Sequence, residues 1–344
     1  MKRSLIFLLG SAILGIALVL LLGRFPAPES IPFRDASPAA EEWALESAHV
    51  SLLTPHIHEY DPTDPDEALA QEDPAKALVF LHGRPADSEV ATAQQDLWVK
   101  SFRVIVNNAP EKILCHAGLI RPDEAGPVCP QYRDELFATA LPVTEPVVFP
   151  EPYGMFLPKG TPLQFSAFFH NPLPPFGPGG TYEDFSASVV METVPGSAAA
   201  RTPLEFVRLH IEDNLCAGAQ GAVPTFTVPP ATQHYERSGA DAVAGDPSRY
   251  VFARDGRVVV WGAHLHPWEG GEKVTALLNG DPVAEFVPRY VGPDPWTWEL
   301  PLQYPENLTV QAGDVLSISA TYSNPNDEVW NGAHGMLGFW FTAL

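Results

Sequence analysis

The sequence predicts an all-β protein built from antiparallel sandwiches, and three observations carry that expectation. Proline is abundant, at 37 of 344 residues, and is spread along the chain. It interrupts helices and central strands but suits turns and sheet edges. From about residue 78 onward the chain is a succession of short runs dense in β-branched and aromatic residues, among them ALVFLHG, LWVKSFRVIV, LQFSAFF, ASVVMET, FVRLHIE, VLSISATYS and MLGFWFTAL. Turn formers bound each run, as they bound strands. Finally, neither a long apolar pattern of helical period nor a repeat of fixed length interrupts the series. Strands this numerous and short favour sandwiches.

Taken in order, the chain opens with Lys2-Arg3 and an apolar run over residues 4–23. That is about the length needed to cross a hydrocarbon core as a helix. The run ends LLLGR without a small-residue cleavage site, so residues 1–24 read as a signal anchor, with a cleaved signal peptide as the alternative. Either way the basic pair stays inside, and the rest of the chain lies on the extracytoplasmic side. Residues 25–75 (FPAPES, DASPAAEE, DPTDPDEALAQEDPAK) read as a Pro/Ala/acid-rich tether with room for one short helix near residues 39–48. Residues 76–212 then form an N-terminal sandwich, 213–247 a linker or long loop, and 248–344 a C-terminal sandwich. The ARDGR segment carries a hairpin signal, since Asp-Gly supplies positive φ at low cost.

Composition excludes some functions. The formal net charge is −22 and no basic stripe is visible, which argues against nucleic acid as a partner. Three cysteines, Cys115, Cys129 and Cys216, leave at least one thiol without a disulfide partner in an oxidising compartment, or bound to metal. No Ser/His/Asp order, phosphate-binding loop or dinucleotide fingerprint rises above background.

The chemistry concentrates in histidines. His264 and His266 stand in WGAHLHPWEGG at the end of a predicted strand. Side chains alternate faces along a strand, so His-x-His turns both imidazoles to the same side, ready for one metal. His334 and Met336 share a face in NGAHGMLGFWF by the same arithmetic, which makes His334 an additional candidate ligand. A thioether beside imidazoles favours copper over zinc, calcium or magnesium.

The surroundings of these residues resemble a known family. RVVVWGAHLHPWEGGEKVTALLNGD, then a strand ending AGDVL, then YSNP and the Met-containing terminal strand are similar to the C-terminal domain of the type II copper, ascorbate-dependent monooxygenases. That family includes peptidylglycine hydroxylase and dopamine β-hydroxylase. Upstream, SFRVIVNNAPEKILCHAGLI resembles its first-domain strand bearing a His-His pair, and QFSAFFHNPLPPFGPGG its His-Asn-Pro segment. The likeness runs from about Trp98 to the C-terminus. It implies two jelly-roll-like sandwiches with a copper site on each. His264, His266 and Met336 would hold the oxygen-activating, catalytic copper. Cys115, His116 and His170 would hold the copper that stores an electron from ascorbate or a similar donor.

Departures from the family shape this expectation. Cys115-His116 stands where the family has adjacent histidines. A thiolate is a good Cu(I) ligand, so the site is either Cys/His/His or is lost, with Cys115 then a core residue or half of a disulfide. If Cys115 is a ligand, Cys129 and Cys216 remain as the natural disulfide pair. Where the peptide-amidating branch binds a substrate carboxylate, this chain has Gly262, Phe168, Gly338 and Trp340, none of which can form a charge-assisted pair. An apolar small-molecule substrate suits such a lining. His56 and His58 lie in or near the tether, His82 could close a strand beside the first site, and His49, His210 and His234 read as surface or loop residues. Asn307-Leu308-Thr309 is a glycosylation sequon. The expected function is therefore hydroxylation of a C–H bond with one or two coppers per chain, O2 and an ascorbate-like reductant. A copper-binding envelope protein without turnover, or a plain sandwich binding module, stand as alternatives.

Overall fold

The computed structural model describes residues 41–46, 50–52, 86–128, 133–140, 146–169, 182–197, 201–211, 226–238, 246–266, 270–291, 298–327 and 329–344. The apolar N-terminal run, His49, His56, His58, His82, Cys129, His170 and Cys216 lie outside them, as do the expectations placed on them. The described residues are mostly strand, joined by turns and irregular segments, with a single 3-10 turn at Glu111–Ile113. No helix among them is long and apolar enough to cross a membrane.

Two sandwiches of mainly antiparallel sheets account for most of the strands. In the first, one sheet orders Glu41–Glu46, Tyr182–Pro195, Leu97–Asn107 and Tyr153–Leu157 side by side. It faces a sheet of Pro162–Phe169, Leu114–Ala125 and Arg133–Ala140. Phe102 of one sheet stacks on Phe137 of the other with centroids 3.8 Å apart, and Phe169 meets Phe185 edge-on at 4.8 Å. The second sandwich sets Glu205–Ile211, Gly335–Ala343 and Gly256–His264 against a sheet of Thr232–Ser238, Val315–Asn324, Gly271–Leu278 and Asp281–Phe286. Trp261 and Phe286 close its core.

One sheet serves both cores. In the Glu205–Ile211, Gly335–Ala343 and Gly256–His264 sheet, Leu209, Leu337, Ala263 and Trp261 point into the second core. Phe206, Trp340 and Val260 point the other way and join the core of the first sandwich. Trp340 lies among Phe206, Phe149 and Phe102, with centroids at 4.9, 5.5 and 5.8 Å. The two sandwiches are thus packed into one unit, Pro38–Leu344.

Several sequence expectations are corrected here. Glu41–Glu46 is a strand, not part of a helix in the tether, and pairs antiparallel with Tyr182–Pro195. Its residues favour helix by propensity, yet Trp43 and Leu45 alternate with exposed Glu42, Ala44 and Glu46, and packing of the alternate pair against the core decides. Glu205–Ile211 falls within the range assigned to the first sandwich but hydrogen-bonds along the terminal strand, because a buried strand sides with the edge that satisfies its backbone. The expected linker contains the strands Phe226–Val228 and Thr232–Ser238. At ARDGR the flanking strands join different sheets, so the segment is a crossover and not a hairpin. Instead Asn279-Gly280, with φ of 54° and 90°, makes the tight turn between Gly271–Leu278 and Asp281–Phe286.

Candidate metal centre

Alternation builds half of the site. His264 ends its strand with the residue order its pattern demands, Ala263 and Leu265 in the second core and His264 and His266 on the opposite side. Their Nε2 atoms lie 3.2 Å apart. The chain just beyond is held tightly. The His266 amide donates to the Tyr322 hydroxyl at 3.2 Å, and that hydroxyl donates to the His334 carbonyl at 2.7 Å. Gly271 donates its amide to the His266 carbonyl, and a Cβ at Gly271 would stand 2.8 Å from that oxygen, so only glycine permits this approach.

A break in alternation builds the other half. Adjacent strand residues normally leave opposite faces. Pairing with Pro162–Phe169 runs His116 to Phe168 and then Leu114 to Phe169, so the register slips at Cys115. Such a bulge lets neighbours share a side, and the His116 Nδ1 lies 3.4 Å from the Cys115 sulfur. That sulfur reaches the second sandwich, 3.3 Å from His266 Nε2 and 3.9 Å from His264 Nε2. Two ligands held about 2.0–2.3 Å from one ion at tetrahedral angles stand about 3.3–3.6 Å apart. Two sides of the Cys115/His264/His266 triangle match that span and the third, at 3.9 Å, is a few tenths of an ångström longer, so one ion could reach all three atoms after a small shift of Cys115 or His264.

Further groups surround it. Met336 is the direct cross-strand partner of His264 and lines the same pocket. His334 packs on both imidazoles, with centroids 5.0 Å from His264 and 4.2 Å from His266. His116 stacks on Phe168 and stands 5.8 Å from His264. All are buried: Cys115 is 1 % exposed, His264 2 %, His266 1 %, His334 0 %, Met336 6 % and His116 8 %. Two sites on separate sandwiches were expected from the sequence; among the described residues these ligands gather at one place, and Cys115 stands with the His264/His266 pair. The reason is the shared sheet, which brings the end of its central strand against the Leu114–Ala125 strand.

Two residues of the surroundings were missed. His210, read as a surface residue, is buried opposite Met336 in the neighbouring strand. Burial, then the charge of Arg208 and the neighbouring His334, hold its pKa well below the usual histidine range. Its place in FVRLHIE, apolar residues on either side, was the available signal. Arg208 stands in one row with Gly338 and Gly262 and lines the pocket with Leu300, Leu302 and Trp340. Its guanidinium pairs with Glu135 of the first sandwich at 2.8 Å. Burial pushes the Glu135 carboxyl up to about 7, Arg208 opposing and Asp134 adding to the shift. By contrast His234 is exposed and pairs with Glu272 at 2.6 Å, as a surface residue should.

Comparison with known proteins adds little to this geometry. No protein-family model and no curated protein matches the chain. Among solved structures it is similar to the major capsid protein P2 of bacteriophage PM2, at 6% identity over 88% of this chain and 98% of that one, with a TM-score of 0.35. The structure of Broad Bean Stain Virus gives 11% identity over 92% and 94%, with a TM-score of 0.25. Dimeric latent PorU from Porphyromonas gingivalis gives 14% over 74% and 25%, with a TM-score of 0.17. Likenesses this weak carry no inference about the site, and the resemblance to copper monooxygenases rests on the motifs alone.

Proposed function

We propose that this chain is a copper protein with one centre, held by Cys115, His264 and His266 where its two sandwiches meet, with Met336 beside it. The observation that carries the reading is the buried triangle of one sulfur and two imidazole nitrogens at 3.2–3.9 Å. A thiolate, two imidazoles and a neighbouring thioether form a soft set, which suits copper better than calcium, magnesium or manganese. Copper bound there would supply one-electron chemistry. The residues' part is to present deprotonated ligands, exclude water and fix the coordination distances. The N-terminal apolar run would tether the sandwiches, wound as jelly rolls, on the extracytoplasmic side of a membrane.

Titration of the full chain with Cu(I) and Zn(II) against a chromophoric chelator tests this. One equivalent of copper, bound more tightly than zinc, is expected. Preference for zinc, or no copper retained, would contradict it.

A second reading keeps the family's activity, hydroxylation of an apolar small molecule with O2 and an ascorbate-like donor. The pocket beside His264, walled by Leu300, Leu302, Ala263 and Trp340, favours it. The glycine pair Gly262 and Gly338 leaves it room, since a Cβ at Gly262 would stand 2.7 Å from the Leu302 side chain. Substrate-dependent O2 uptake with ascorbate across a panel of apolar compounds checks it; none across the panel would count against turnover.

A further inference from the structure

Resting on the copper reading above, we infer that the centre is an electron-carrying one, with the Cys115 thiolate as a direct ligand in a trigonal set with His264 and His266 and Met336 as a weak axial donor. Two imidazoles and one thiolate in a plane with a distant thioether is the ligand arrangement of electron-transfer copper sites. Each part has a structural basis. Cys115 Sγ and the two Nε2 atoms form a triangle with two sides of 3.2 and 3.3 Å meeting at His266 and a longer third side of 3.9 Å between Cys115 and His264. Met336 is paired directly with His264, and side chains opposite each other in antiparallel strands share a face at about 4.5–5.5 Å between Cβ atoms. Three strong ligands and a thioether, if all bound, would leave no open position of the kind that the second reading requires, so the two readings part at this point.

Rigidity points the same way. All four side chains are nearly inaccessible to water. Three come from strands of two packed sheets and His266 from the chain just past the end of one, where Tyr322 ties the His266 amide to the His334 carbonyl. A site that barely rearranges accepts and releases an electron at low cost. The exchange itself is simple: Cu(II) takes one electron to become Cu(I), and no ligand bond is made or broken. An enediol reductant of the ascorbate class would give up that electron, and its proton would pass to water.

The test is spectroscopic. Copper(II) added to the full chain should produce an intense visible thiolate-to-copper charge-transfer band and an EPR spectrum with narrow copper hyperfine splitting. Cys115→His should keep the copper and lose the band, since imidazole replaces the thiolate. Met336→Leu should keep both and raise the midpoint potential, because the thioether's donation is gone. Bound copper without the band, or a band that survives in Cys115→His, would overturn the inference while leaving the copper reading intact. An unchanged potential in Met336→Leu would overturn the axial assignment. Failure to hold copper at all would be a failure of the copper reading itself.

Discussion

The strand ending at His264 and the strand opening at Leu114 bring their ligands to the centre by opposite means. The first is regular: period two delivers His264 and His266 to one side, and Tyr322 and Gly271 hold the end in place. The second is irregular: a slip in register at Cys115 lets two successive residues approach the same neighbours. The difference teaches where a site is encoded. A pair at i and i+2 belongs to the strand itself, whereas a pair at i and i+1 depends on the bulge and on the partner strand that accommodates it.

The largest effect should come from breaking the regular half. His266→Ala should weaken copper binding by more than about 100-fold, beyond the 10–100-fold cost of losing a supporting outer residue, as read by chelator competition. A smaller loss would mean that the Cys115 side holds the metal alone. Next is the packing that joins the halves. Trp340→Ala should cost about 3–5 kcal/mol in chemical denaturation, because a nearly inaccessible indole between the two cores leaves a cavity. If the loss is under about 1 kcal/mol, the sandwiches are joined elsewhere.

A pH dependence sharpens the comparison across the Arg208–Glu135 contact. The folded-state pKa of Glu135, about 7, lies above its value in the unfolded chain, so the folded state binds this proton more tightly. Its contribution is full below the ordinary glutamate range and is lost as pH rises toward 7. Melting temperature should therefore fall between about pH 4.5 and pH 7, by the equivalent of at most roughly 3 kcal/mol, and Glu135→Gln should flatten the slope. An identical slope in both proteins would assign it to other groups. Tyr322→Phe should have the smallest effect, about 1–3 kcal/mol for two hydrogen bonds lost in a buried setting, with copper affinity falling about tenfold. Unchanged affinity would show that the His266 backbone needs no such tie.

The same contrast explains what the sequence could disclose. The strand content, the His264/His266 pair and the shared face of Met336 are local, since each follows from alternation within a few residues. The strand at Glu41–Glu46 was hidden because its helix-forming composition outweighs a short alternating pattern until a core exists to receive Trp43 and Leu45. His210 and Arg208 were hidden because Glu205–Ile211 takes its meaning from the terminal strand, some 130 residues away. The approach of Cys115 to His266 spans 151 residues and depends on the sheet common to both cores. No spacing in the chain records it.

Copper content per chain in two single variants tests the one-centre account most directly. Wild-type protein, loaded and desalted, should hold one copper. Cys115→Ala in the first sandwich and His266→Ala in the second should each empty the same centre, leaving close to none. Two coppers in the wild type, with one retained in each variant, would contradict a shared centre and restore separate sites on the two sandwiches.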